Sequence, residues 1–243
     1  MQLHIYENAE KMSESLAEWI TNYIHSRLQT QARFTISLSG GNTPKLLHHL
    51  LAASPYKEKI AWEKLHFFWG DERDVPFEDD RNNAKMAFDT LLDHVPVVSS
   101  QIHIMRTDID PVTSAMEYEK ILRRYFPPEP TLPEKSFDLV LLGMGDDGHT
   151  LSLFPGTPVV HEEKAWVTSF FLPAQSMHRI TLTKSIVNRS QRIAFLATGP
   201  GKAHALKEVL NGEYNPDLYP SQEIKPADGA LHWFVDKAAA NDL

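Results

Sequence analysis

Cysteine is missing from the 243 residues, which rules out disulfide staples and thiolate chemistry and suits a reducing compartment. Positive charge is scarce as well. The chain carries 24 Lys and Arg against 32 Asp and Glu, whereas a nucleic-acid surface shows basic side chains clustered on one face. No apolar run approaches the roughly 20 residues that cross a bilayer. The opening MQLHIYENAEKM has neither the basic start nor the apolar core of a signal peptide. Internal repeats, low-complexity tracts and shifts in composition are lacking too, so one domain over residues 1–243 is expected. These absences point to a cytoplasmic protein with neither a membrane nor nucleic acid as partner. The net charge of −8 repels an anionic ligand at long range, so a few local cations would have to hold one. Nothing flags an exposed apolar face, which leaves monomer and small homo-oligomer both open.

What is present is organised around Phe137 to Gly156, FDLVLLGMGDDGHTLSLFPG. Its first six residues form a nearly continuous apolar run of strand length, suited to a strand covered on both faces. Three glycines follow, Gly143, Gly145 and Gly148, with two acids and His149 among them. Glycine lets a backbone turn sharply and approach a ligand closely. A loop leaving the carboxyl end of a buried parallel strand is where open α/β sheets place their ligands.

The rest of the chain alternates in the same manner. Strands are expected at 3–6, Phe34–Leu38, Leu65–Trp69, Ile102–Ile104, Trp166–Phe171, Arg179–Leu182, Ile193–Ala197 and Leu231–Val235. Helical periodicity runs over Ala9–Leu28, through Leu46 to Leu51, from Ala84 to Leu92, over Pro111–Phe126 and from Ala203 to Leu210. Gly70 to Pro76, the proline-rich Phe126–Pro133 connector and residues 211–229 read as loops. Alternating strands and helices predict an α/β fold with a mostly parallel sheet and helices on both sides.

Anion sites are expected at the same sheet edge. A helix N-terminus presents unpaired N–H groups and a positive dipole end. Ser39-Gly40-Gly41-Asn42-Thr43-Pro44 fits this role, with Thr43 as N-cap and Pro44 at the first helical position. Its spacing is not that of a nucleotide-binding P-loop. Lys202 lies in the first turn of its helix, between small residues, where the macrodipole disfavours a cation unless an anion is bound. Arg179 opens an otherwise apolar strand and, taken alone, reads as a surface residue. His149 sits in a glycine-rich loop with no apolar face to justify it, and Asp147 can fix its tautomer or simply cap the segment that follows.

Other chemistries fit less well. Gly143-Met144-Gly145-Asp146-Asp147-Gly148 is a literal G-x-G-x-x-G. A dinucleotide fingerprint, however, must open a helix, and Pro155-Gly156 interrupts within two turns, while two aspartates would face the pyrophosphate. The twelve histidines form no zinc spacing, so no metal is expected. Ser39 lies outside a nucleophile elbow.

Four segments, SLSGGNTP, FFWGDERDVP, LVLLGMGDDGHTLSLFPG and RITLTKSIVNRSQRIAFLATGPGKA, together resemble the signature blocks of the 6-phosphogluconolactonase family, in the family's order and across residues 37 to 203. Asn42 departs from the usual serine or threonine, which affects a side-chain contact to phosphate but not backbone contacts. The resemblance implies a Rossmann-like three-layer α/β/α fold and hydrolysis of 6-phospho-D-glucono-1,5-lactone in the oxidative pentose phosphate pathway, without a redox cofactor or obligatory metal. It implies His149 as general base, with Asp147 beside it and Arg73 near the reacting carboxyl end. Arg179 and Lys202 then lie near the phosphate with the Gly40–Thr43 loop, and Asp71 and Gly145 line the substrate. The chain also resembles glucosamine-6-phosphate deaminase/isomerase at Asp71-Glu72 and Asp147-Gly148-His149. Phe154 stands where the deaminase has a glutamate, and Arg73 where it has a tyrosine. A sugar-phosphate sensor without turnover is the third reading; no helix-turn-helix precedes the first expected strand.

Overall fold

The computed structural model describes residues 1–127, 135–226 and 229–243. Its strands are β1 (Gln2–Tyr6), β2 (Phe34–Leu38), β3 (Leu65–Trp69), β4 (Asp71–Arg73), β5 (Leu139–Gly143), β6 (Val167–Leu172), β7 (Met177–Leu182), β8 (Arg192–Ala197) and β9 (Ala230–Asp236). The helices are α1 (Ala9–Leu28), α2 (Asn42–Leu51), α3 (Tyr56–Lys59), α4 (Asn83–Thr90), α5 (Pro111–Tyr125), α6 (Lys184–Val187) and α7 (Ala203–Asn211). Six strands form one parallel sheet in the order β1-β9-β8-β5-β2-β3.

The central strand shows why the fold has three layers. Leu139 and Leu141 of β5 pack with Met12 and Leu16 of α1, Leu47 of α2 and Ala84 of α4. Val140 and Leu142, pointing the other way, pack with Tyr118 and Leu122 of α5 and Leu206 of α7. Alternation along a strand sends successive side chains to opposite faces, and here both faces are covered. Each such aliphatic side chain stabilises the fold by about 1.5–3 kcal/mol when fully buried. The mostly parallel α/β architecture expected from the sequence is the one observed.

A second, smaller sheet runs β4-β7-β6 and is antiparallel. It joins the first through Gly70, whose N–H donates to Leu38 O at 3.0 Å and whose carbonyl accepts from Leu182 N at 2.8 Å. Asp71 to Arg73 is therefore strand, not the loop expected from its charged, proline-ended sequence. Ile102 makes only an isolated bridge to Phe67, so the short strand expected there does not form. Residues 211–229, expected as loop, contain a buried 3-10 turn at Pro220–Glu223, with 227 and 228 outside the described residues. Of the proline-rich connector, residues 128–133 likewise lie outside them.

Successive connections move outward from the middle of the sheet in both directions. From β2 the chain steps to β3, and from β5 it steps the other way to β8 and β9. The loops after β2 and β5 thus diverge and leave a crevice at the carboxyl edge, where ligands of open α/β sheets bind. Gly143 N donates to Ser39 Oγ at 3.2 Å across its base.

Candidate active site

The crevice is a cleft of about 260 Å³ whose lining includes Gly40, Gly41, Asp71, Arg73, Asn83, Gly145, His149, Arg179 and Lys202. Three loops at the carboxyl edge of the large sheet, the first residue of α4 and two strands of the small sheet meet there. Asn42 and Thr43, expected beside a phosphate, are not in the lining. Asn42 is exposed as the first residue of α2, and Thr43 Oγ1 turns to Thr198 Oγ1 at 2.8 Å. Thr43 is not the N-cap either: that position is Gly41, which offers no side-chain bond. The first N–H groups of α2 are consequently left without a side-chain acceptor at the cleft wall.

His149 is held by its own loop. Its Nδ1 lies 2.5 Å from Asp147 Oδ1, and the same oxygen accepts from His149 N at 3.1 Å. Burial pushes the Asp147 carboxyl up, but the ring and backbone hydrogen bonds of His149 outweigh it and hold the carboxyl below its ordinary value. An ionised Asp147 can only accept, so Nδ1 carries the proton and Nε2 keeps the lone pair. Asp147 itself is outside the lining and acts on the cleft through the ring. Phe154 stacks on the other side of the imidazole, centroids 4.2 Å apart and planes inclined by 28°. Gly145 is needed for this packing: a Cβ there would fall 2.1 Å from His149 Nδ1 and 2.5 Å from Asp147 Oδ1.

The cations face this loop from the small sheet. Arg73 of β4 and Arg179 of β7 are direct partners in the antiparallel ladder. Arg179 is 3% exposed, not the surface residue its sequence suggested, and its Nε and Nη1 have no hydrogen-bond partner. Its guanidinium sits 5.5 Å over the Phe154 ring. Burial lowers its pKa, Asp71 and Glu72 oppose that shift, and Arg73 adds to it. Arg73 donates Nη1 to Arg81 O at 2.7 Å, while its buried Nε has no partner. Unpartnered guanidinium donors cost free energy unless something supplies acceptors. An anion in the cleft would do so.

Two acids set the frame. Asp71 accepts from Ser152 Oγ at 2.7 Å, which fixes its carboxylate at the cleft edge. Glu72, fully buried, faces away and accepts from the N–H groups of Arg73, Asn83 and Ala84 at 2.7–2.9 Å. It thereby anchors the start of α4. Burial pushes its carboxyl up to about 7 against the pull of those three donors. Asn83 then lies against the β2 loop so closely that a Cβ on Gly40 would fall 1.9 Å from its Oδ1. Neither Glu72 nor Asn83 was expected as part of this site. The period-2 alternation of a three-residue strand is too short to show in sequence which acid points inward.

Lys202 stands one residue ahead of α7, at its N-cap, and not within the first turn. Its Nζ lies 2.5 Å from Asp146 Oδ1. Behind the His149 loop, Tyr219 packs on Gly148, and Ser221 N donates to Gly148 O at 3.0 Å. The described residues contain no group of three or more His, Asp or Glu placed to hold a metal, and no helix long and apolar enough to cross a membrane.

A parallel sheet whose carboxyl-edge cleft is lined by a carboxylate-paired histidine and two arginines defines the class: an α/β protein with a polar, cation-bearing cleft at its sheet edge. Comparison with known proteins narrows it. Residues 7–233 match the family model described as glucosamine-6-phosphate isomerases/6-phosphogluconolactonase, and the chain belongs to that family. It is 38% identical over 244 residues to a 6-phosphogluconolactonase of Synechocystis, covering 100% of this chain and 98% of the relative. With a Haemophilus influenzae 6-phosphogluconolactonase it shares 39% over 208 residues, 86% of this chain and 87% of the other. The structure of 6-phosphogluconolactonase from Trypanosoma cruzi superposes with a TM-score of 0.86 at 29% identity, covering 100% of this chain and 96% of that one. A monomeric glucosamine-6-phosphate deaminase, 19% identical with a TM-score of 0.85 over 100% of both chains, shares the fold.

Proposed function

We propose that the protein hydrolyses 6-phospho-D-glucono-1,5-lactone to 6-phospho-D-gluconate, with His149 as general base. The observation that carries this reading is the cleft itself: a tautomer-fixed imidazole opposite two guanidinium groups with unpaired donors. The names of the relatives agree with it.

In this mechanism Nε2 of His149 takes a proton from water as its oxygen bonds to the lactone carbonyl carbon. The Asp147 carboxylate, 2.5 Å from Nδ1, stabilises the imidazolium that results. Charge builds on the carbonyl oxygen, where the Arg73 guanidinium and backbone N–H groups of the glycine loops donate; one such donor is typically worth about 3–4 kcal/mol. Collapse of the tetrahedral intermediate breaks the bond to the ring oxygen, and His149 returns its proton there. Arg179 and Lys202 hold the phosphate at the far end, and that remote binding energy orients the carbonyl. Asp71 is placed to accept from sugar hydroxyls, and Gly145 leaves room for the ring.

The deaminase reading is less well supported. It needs an acid beside the histidine to open a sugar ring, and the group packed on His149 is the Phe154 ring. The deciding experiment follows the disappearance of freshly made 6-phosphogluconolactone and of unphosphorylated gluconolactone, and assays ammonia from glucosamine 6-phosphate. Rapid opening of the phosphorylated lactone with a preference of 100-fold or more, and no ammonia, is expected. Binding of 6-phosphogluconate without any acceleration of lactone opening would point to a sensor, and ammonia release to a deaminase.

A further inference from the structure

Lys202 is a cleft cation already paired with a carboxylate. Its Nζ sits 2.5 Å from Asp146 Oδ1, an oxygen of a side chain that is 71% exposed and that stems from the loop after β5. The carboxylate lies close to Gly201, where an ideal Cβ would stand 3.2 Å from Asp146 Oδ2. Asp146 lies outside the cleft lining, against the turn that opens α7, and from there holds the Nζ of a lysine that does line the cleft. Its neighbour Asp147 is committed to His149, so Asp146 has no share in orienting the imidazole.

We propose that Asp146 is an internal competitor for Lys202: it neutralises the lysine when the cleft is empty, yields to a phosphate dianion, and recaptures the lysine as a phosphorylated product leaves. A neutral sugar hydroxyl cannot displace it, so only a charged ligand gains the use of Lys202. The exchange is feasible because the pair is weak. An exposed Lys–Asp contact is worth up to about 1 kcal/mol, whereas a doubly charged phosphate offers Lys202 a stronger charge-assisted bond. The same like-charge competition keeps phosphorylated ligands from binding so tightly that release becomes slow. This assignment rests on the proposed phosphate site but not on the chemistry at the other end of the cleft.

The test is Asp146→Asn, read by calorimetric titration with inorganic phosphate and with 6-phosphogluconate, and by lactone kinetics. Both Kd values are expected to tighten about fivefold, the factor corresponding to an exposed ion pair, with the gain shrinking at high salt. KM for the phosphorylated lactone should fall, inhibition by 6-phosphogluconate should strengthen, and turnover of the unphosphorylated lactone should stay unchanged. In a Lys202→Met background the gain from D146N should shrink markedly. Unchanged or weaker phosphate binding in D146N would overturn the proposal, because Asp146 would then be idle or would be holding Lys202 in place for the ligand. An undiminished gain without Lys202 would overturn it too, by showing a general charge effect. If the unmutated protein failed to open the lactone, the proposed function would fall while the phosphate titrations still decided the competition.

Discussion

Arg73 and Arg179 stand directly opposite each other in the β4–β7 ladder, two like charges in a partly buried setting with unpaired N–H groups on both. Like charges in direct cross-strand register destabilise a sheet, and burying one of them costs more. A phosphate held by Arg179 would relieve both the repulsion and the burial cost of that guanidinium. Arg179→Met should accordingly leave the ligand-free protein at least as stable, with an unfolding midpoint equal to or above that of the unmutated chain. It should also raise KM for the phosphorylated lactone roughly 10- to 100-fold, as expected for loss of a charged hydrogen bond worth about 1.5–3 kcal/mol. Urea unfolding and initial rates check the two halves separately. A destabilised variant with unchanged KM would mean that Arg179 serves the fold alone.

Asp147→Asn tests the tautomer argument. The amide nitrogen can donate to Nδ1 and thereby place the ring proton on Nε2, where it blocks proton uptake from water. A fall in kcat of about 100-fold or more is expected, in the range of general-base contributions, with KM little changed. A KM effect at constant kcat would instead assign Asp147 to substrate binding.

Gly145→Ala should separate geometry from stability. The added methyl group would stand 2.1 Å from His149 Nδ1, so the ring or its carboxylate partner must move. Misplacement of a catalytic group by about 1 Å costs on the order of 100-fold. The cleft lies at the sheet edge and not in the core, so the unfolding midpoint should shift by only a few degrees. Full activity in the alanine variant would show that the observed packing is not the working arrangement.

Acid should weaken the fold through histidines held neutral. His48 is fully buried on α2, where Thr90 gives its hydroxyl proton to Met86 O and takes the Nδ1 proton. Burial lowers its pKa to about 3 from 6.5. The unfolded chain takes up this proton below pH 6.5 and the folded chain does not, so stability complete above pH 6.5 is lost progressively as pH falls toward 3. At pH 5 the loss from this one group is about 2 kcal/mol. His48→Leu should therefore lose less stability between pH 7.5 and pH 5 than the unmutated protein, by about that amount in urea titrations. Equal losses would exclude His48 as a source of acid sensitivity.

Long apolar runs were easily read from the sequence. The strand at Leu139–Gly143 and the amphipathic Ala9–Leu28 helix announce themselves by periodicity, and the glycine loop after β5 marks the crevice. Arg179, placed in the site by resemblance, read as a surface residue when taken alone, because its burial depends on β4 pairing across it, and a three-residue strand of Asp, Glu and Arg has no propensity signal of its own. Glu72 and Asn83 were invisible for the same reason: their role is to tie α4 to that strand, a contact made only in three dimensions. Thr43 followed a sound capping rule, yet the helix starts two residues earlier than that rule placed it, and a glycine fills the cap position.

The claim on which the account turns is that the imidazole of His149 does the chemistry on a phosphorylated lactone. Initial rates of 6-phosphogluconolactone opening, corrected for spontaneous hydrolysis, should be compared at saturating substrate for the unmutated protein and His149→Ala. A fall in kcat of about 100- to 10,000-fold with 6-phosphogluconate still bound is the predicted result. A variant that opens the lactone at close to the original rate would contradict it.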